Sequence, residues 1–346
     1  MSYEEKRMGK KSSGKKANYE KLMPQILCML EWHGGRSLEH ARKHLSAIRV
    51  ENNEARQGLE LYSKNWNDTI HPAILSLSFD AVSNDEFDVT DLQVMVLLLT
   101  AAMDIHDDVM DKSRTKGGKP TLYGKFGEDL AILMGDALLL EGFMMLHSCR
   151  RLMDQESFDR IMNTVNNSLL EVGNAHLLEL QLKRKINVAP DEILNLIEKK
   201  AAIFEGLSEM GAIAGKGSQD QIDALKAAGR AFGYLVMLRE EFIDMFEPAE
   251  LSSRLKNEYP PLPIVYAIED PKVEKSVAKL RNKRITERES QELISMVYEN
   301  KNVIKLKKTM ENKVNQAIVL LSNANLKKKP ASTLAMLIRG TLEEIK

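Results

Sequence analysis

Apolar residues recur at three- and four-residue spacing through most of this chain, as at Leu177, Leu178, Leu180 and Leu182 and again at Leu194, Ile197 and Ile203. That spacing follows the 3.6-residue turn of an α-helix and lines up one greasy face per helix, so the chain is built to pack helix against helix. No stretch reads as the apolar–polar alternation of a half-buried strand. Glycine and proline gather in a few places, at Gly117, Gly118 and Pro120 and at Pro260, Pro261 and Pro263, which mark loops between helices. No fixed repeat of roughly twenty to fifty residues is present, which argues against a solenoid. With 346 residues, 43% hydrophobic and 29% charged, the chain can bury a sizeable core and keep a charged surface. The expectation is an all-α, single-domain helical bundle around a central apolar cavity, spanning residues 18–346.

The first twenty-one residues, MSYEEKRMGKKSSGKKANYEK, are rich in lysine and arginine, and residues 1–17 read as a disordered, solvated basic arm. Docking of that arm on anionic lipid is the alternative. The formal net charge of -1 gives no overall field to draw nucleic acid, so no nucleic-acid partner is expected. Cys28 and Cys149 form no CxxC pair and no apolar signal segment opens the chain, so neither a disulfide framework nor a zinc site is indicated, and a cytoplasmic setting is expected. The apolar run at residues 92–103, LQVMVLLLTAAM, falls short of the roughly 20 residues that cross a bilayer and reads as a buried core helix; no transmembrane segment is expected.

Chemistry concentrates at the end of that apolar run, in AAMDIHDDVMDKSRTKGGKPT. Asp107 and Asp111 stack one turn apart on a helix, with Asp108 beside them, so three carboxylates converge on one small volume. Such a group repels itself unless cations fill it, and hard Mg²⁺ suits it, taking one or two carboxylates, waters and the oxygens of a substrate phosphate. Asp104 lies one turn earlier on the same face. An acidic helix end that simply faces water is the plain alternative, but these acids terminate a strongly apolar helix. The loop after them carries Arg114, Lys116, Lys119 and a Gly-Gly pair suited to an anion. In FGYLVMLREEFIDMF, Glu240, Glu241 and Asp244 repeat the spacing at the end of a second apolar helix. Facing each other across a bundle, the two ends would form an acidic mouth over an apolar cavity, a shape suited to a diphosphate head with a greasy tail.

These residues resemble the trans-isoprenyl diphosphate synthase family, whose helical fold is shared by class I terpene synthases. IHDDVMD resembles the first aspartate-rich motif, GKPTLYGKFGEDLAILMGDALL the stretch after it, and LREEFIDMF the second motif with Glu in its first two places. The resemblance implies an all-α bundle, dependence on roughly two or three Mg²⁺ ions, an allylic isoprenoid diphosphate as ligand and a homodimer. It implies metal ligands at Asp107, Asp108 and Asp111 and at Glu240, Glu241 and Asp244. Lys199 in EKKAAIF matches the lysine that holds the allylic diphosphate, with Lys200 beside it competing for the role. Lys116 stands at the first of the family's two arginines and keeps the charge without the two-pronged donor; Arg114 is a further candidate substrate contact. Ala102 and Met103 sit where the family often sets chain length, and a small Ala102 implies a deep cavity for about fifteen to twenty-five carbons. Simple packing of Ala102 against a neighbouring helix is the alternative.

The second half of the family's site departs from the pattern. Where the family holds isopentenyl diphosphate through Gly-Lys-x-x-Arg-Pro, this chain has NDTIHP, with Asp68 for the lysine and His71 for the arginine. Thr100 replaces a His or Gln, and Gly117 replaces the second arginine. Each lost charge-assisted hydrogen bond is worth roughly 1.5 to 3 kcal/mol, and a carboxylate at Asp68 repels a diphosphate besides; misalignment, with Lys64 or Arg56 reaching in, is the competing account. The expectation that follows is a terpene synthase that cyclises or eliminates the allylic cation. The alternatives are a geranylgeranyl-type polyprenyl diphosphate synthase with an atypical isopentenyl site, transfer to an uncharged acceptor, and, from another class, a non-catalytic partner subunit.

Overall fold

The computed structural model describes residues 13–84, 88–185, 187–281, 283–343 and 345, with side chains from residue 22 onward. Residues 1–12 of the expected basic arm lie outside the described residues. The first helix, α1 (Ser13–Ala47), begins ahead of the expected domain start at Asn18. It is followed by α2 (Asn53–Asn65), α3 (Ile70–Val82) and α4 (Thr90–Met110). A two-stranded antiparallel hairpin, β1 (Thr115–Lys116) and β2 (Lys119–Pro120), then leads into α5 (Leu122–Phe126) and α6 (Glu128–Cys149). The remaining helices are α7 (Gln155–Leu182), α8 (Pro190–Lys200), α9 (Ala202–Ala214), α10 (Gln219–Ile243), α11 (Pro248–Asn257), α12 (Leu262–Ala267), α13 (Pro271–Leu280), α14 (Glu287–Glu299), α15 (Lys301–Asn323) and α16 (Lys328–Gly340). The all-α expectation holds, with the hairpin as the one strand pair among the described residues.

Helix α4 organises the molecule because both of its broad faces are apolar. Leu92, Met95, Val96 and Leu99 enter the larger core, which α3, α7, α9 and α10 share. Val94, Leu97, Leu98, Ala101, Ala102 and Ile105 enter a smaller core with Leu38, Ala41 and Leu45 of α1 and Met134 and Leu138 of α6. Burial of a large aliphatic side chain is worth about 1.5–3 kcal/mol, so a helix buried on two sides is held firmly along its length. Helices α4 and α6 approach closely: a Cβ added at Gly142 would sit 2.5 Å from Leu99 Cδ2.

Helix α10, which carries the second acidic motif, starts at a capping box. The Gln221 side chain accepts from the Ser218 N–H at 2.9 Å, and the Ser218 hydroxyl accepts from the Gln221 N–H. One helix, Glu128–Leu152 with its terminal 3₁₀ turn, is long and apolar enough to cross a membrane by length and composition alone. It packs on α4 through Ala131, Met134 and Leu138, while Leu133, Leu140 and Met144 are exposed on its other side.

Candidate active site

A cavity of about 600 Å³ opens between α2, α4, α7, α8 and the hairpin. Its rim carries Asp104, Asp107, Asp108, Lys116, Lys119, His176 and Lys200, and Met103, Val172, Ile203 and Met237 form apolar wall. A narrower apolar groove shares Thr100, Met103, Val172 and Ile203 with it and continues between Met95, Leu99, Leu169 and Met210. A charged head and an apolar tail thus have separate places in one space.

The first acidic motif behaves as crowded carboxylates must. Burial, reinforced by the charges of Asp104, Asp107 and Asp111, pushes Asp108 up to about 7. Burial and the Asp107 charge likewise raise Asp111, against the pull of Lys183, which donates to it. Asp107 goes the other way: burial is outweighed by His176, whose Nδ1 lies 3.3 Å away, and by the charges of Lys200 and Lys116, which hold its carboxyl below the usual range. Oxygen and nitrogen atoms of Asp107, His176 and Glu179 lie within 4.8 Å of one another and can grip one ion. The donor set, carboxylates with one imidazole and a proton-hungry Asp108, fits a hard divalent cation.

The hairpin turns on Gly117 and Gly118, with φ of 57° and 76°, a conformation that a side chain strains. The turn sets Lys116 opposite Lys119 across the two strands, and both residues line the cavity. Lys116 donates to Asp104, and that carboxylate raises its pKa despite burial.

The second motif is placed differently. Glu241, expected to bind metal, turns inward and is buried: Arg254 donates to both of its oxygens at 3.1 Å and the Leu262 N–H donates at 2.7 Å. With its lone pairs so engaged, Glu241 is a structural anchor rather than a metal ligand. Arg254 also donates to Asp244, which burial and the neighbouring acids still push up to about 7. Glu240 stays half exposed beside Arg239. The two motifs are joined by alternating charges: Asp111 to Lys183, Lys183 to Glu258 at 3.8 Å, Glu258 to Arg254 at 3.7 Å, and Arg254 to Asp244 and Glu241. The ends of α4 and α10 are therefore tied to each other, and of the motif acids Asp107 and Asp108 line the cavity.

At the far side of the cavity, where the family's basic contacts are missing, Asp68 and His71 pair with each other. His71 Nδ1 lies 2.7 Å from Asp68 Oδ2, and the same carboxylate receives the His71 N–H at 3.3 Å and the Thr100 hydroxyl at 3.4 Å. Burial works against both charges, yet each partner stabilises the other's: Asp68 is held below its ordinary pKa and His71 above its own. The imidazole lies nearly parallel to the Phe204 ring, centroids 5.0 Å apart. Neither Lys64 nor Arg56 lines this space, and Arg56 donates instead to the Val50 carbonyl.

Three further expectations shift. Lys200, not Lys199, lines the cavity, with Nζ 2.6 Å from Glu179. Met103 lines both cavity and groove, but Ala102 is fully buried in the core shared with α6, because it sits about 140° around the helix from Asp107. Arg114 is exposed with its guanidinium 5.7 Å from the Tyr123 ring centre, away from the cavity wall. The sequence reading missed His176 and Glu179 of α7 and Lys183, which caps that helix, at three- and four-residue spacing, and it missed Arg254 and Glu258 of the charge chain.

A helical bundle with a mouth of carboxylates and lysines over an apolar cavity defines the class. Residues 60–300 match the polyprenyl synthetase model, and the chain belongs to that family. It is 29% identical over 182 residues to a short chain isoprenyl diphosphate synthase of Methanothermobacter thermautotrophicus, across 52% of this chain and 55% of that protein. Against a geranylgeranyl diphosphate synthase of Methanosarcina mazei the identity is 27% over 188 residues, 54% of this chain and 57% of the relative. The match thus spans about half the length of these relatives. The crystal structure of a geranylgeranyl pyrophosphate synthetase from Pyrococcus horikoshii has the same fold, with a TM-score of 0.79 at 21% identity over 94% of this chain and 99% of that one.

Proposed function

We propose that the chain is a magnesium-dependent isoprenyl diphosphate synthase that extends an allylic diphosphate to a geranylgeranyl-type or longer product. The observation that carries this reading is the shared space of acids, lysines and apolar wall in a member of the polyprenyl synthetase family. The expected terpene synthase finds no support in the relatives named above, which are diphosphate synthases. Asp107, Asp108 and Asp111, with Asp244 opposite, would hold Mg²⁺. The ions supply neutralising charge for the leaving diphosphate. Lys116, Lys119 and Lys200 orient its oxygens as charge-assisted donors. Met103, Val172, Ile203 and the groove beyond exclude water from the hydrocarbon.

Asp68 and His71 favour a second reading, in which the acceptor is uncharged. One incubation decides between them: purified protein with Mg²⁺ and allylic diphosphates of several lengths, with and without isopentenyl diphosphate. Longer diphosphates formed only with isopentenyl diphosphate are expected. Transfer of the prenyl group to water or to an added aromatic acceptor without it would reverse the preference.

We also propose a homodimer. Leu133, Leu140 and Met144 of α6 and Leu170 and Leu177 of α7 are exposed apolar residues whose burial by a second copy would be favourable. Light scattering should give twice the chain mass, and Leu140→Asp should give monomer.

A further inference from the structure

The paired residues at the far side of the cavity suggest more than a lost contact. A histidine whose Nδ1 is bound to a carboxylate presents its other nitrogen as a proton acceptor, and this arrangement fixes the tautomer and the ring. His71 is fixed from three sides: by Asp68 on Nδ1, by its own N–H on the same carboxylate, and by Phe204 against the ring face. Thr100 fixes Asp68 in turn. The ring lines the cavity, and Nε2 has no protein partner among the described residues. Ile203 and Met237 contribute apolar wall to the same cavity.

We propose that His71, positioned by Asp68, takes up the proton that is lost when the allylic cation formed in this cavity is converted to product. The inference rests on the diphosphate synthase reading. The allylic carbon–oxygen bond breaks with its electron pair on the departing diphosphate. The acceptor's double bond supplies the pair for the new carbon–carbon bond and leaves a cation next to it. A neighbouring C–H bond gives its pair back as a double bond and its proton to Nε2, and the imidazolium later releases that proton to solvent. Only neutral His71 can act, so the rate rises with pH through its titration. The charged or titratable groups sharing its cavity are Tyr62, Asp68, Asp104, Asp107, Asp108, Lys116, Lys119, His176 and Lys200. Of these, Asp68 and then Asp104 stabilise the imidazolium, against burial.

The test uses the whole chain at saturating Mg²⁺, so that the metal acids are ionised throughout, and follows product formation from pH 5.5 to 9. His71→Gln should lower turnover about 100-fold, leave the KM for allylic diphosphate unchanged and abolish the acidic limb of the profile. Asp68→Asn should move that limb to lower pH, and imidazole should partly rescue His71→Ala. Circular dichroism checks that the variants are folded. Near wild-type turnover with the acidic limb intact in His71→Gln would overturn the proposal. So would a raised KM for isopentenyl diphosphate at unchanged kcat, which would make His71 a diphosphate contact. Wild type that turns over allylic diphosphate alone sinks chain elongation but not His71, whose loss must then raise the ratio of alcohol to olefin. Wild type that releases no diphosphate from any allylic substrate sinks both.

Discussion

Two helix ends in this molecule carry acids at the same spacing, and their surroundings make them different instruments. At the end of α4, Asp107 and Asp108 open on a cavity and press on one another. At the end of α10, both oxygens of Glu241 are gripped by the buried guanidinium of Arg254, which reaches Asp244 at one oxygen only. Spacing decides that carboxylates cluster; what stands opposite decides whether their lone pairs are free for a metal or already committed to the fold.

The contrast is broken most forcefully at Arg254. Arg254→Met leaves Glu241 buried without its partner and should cost about 3–5 kcal/mol of stability, read as a fall in the urea midpoint, with no comparable loss for Asp108→Asn. Asp108→Asn should instead spare folding and lower kcat/KM about 10²- to 10³-fold, the range seen when one group that stabilises developing charge is removed, measured in steady-state assays. Lys200→Ala should weaken binding of an allylic diphosphate by about 1.5–3 kcal/mol, whereas Lys199→Ala should change it by less than about 0.5 kcal/mol; calorimetry distinguishes the two. The smallest effect is proton linkage. Because Asp108 and Asp244 sit at about 7, each must release a proton to bind metal, and Mg²⁺ affinity should fall by up to about tenfold per pH unit per group below pH 7. The sign for folding is opposite. The native chain keeps protons that the unfolded chain has lost between pH 4 and 7, so metal-free stability should decline as pH rises through that window, and Mg²⁺ should remove the slope.

Much of this was legible in the residues. The apolar spacing gave the all-helical fold, and the Asp107 to Asp111 interval placed three acids at one helix end. Glu241 was misread because adjacent helical residues point about 100° apart: the motif's second Glu turns inward when the first turns out. The same arithmetic separates Met103, one turn from Asp107, from Ala102, and Lys200 from Lys199. His176, Glu179 and Lys183 left a signal, polar residues at three- and four-residue spacing in a leucine-rich helix. Their partners, Asp107 and Asp111, lie some seventy residues away in sequence, 72 for Lys183 and Asp111, and no local pattern reveals such a pairing.

The line of alternating charges from Asp111 to Asp244 has one more consequence. Because Lys183 and Arg254 already balance these acids, the mouth does not depend on magnesium to keep its halves from flying apart. The scaffold can then assemble first, and an arriving ion displaces a tethered ammonium group at Asp111 and the protons on Asp108 and Asp244.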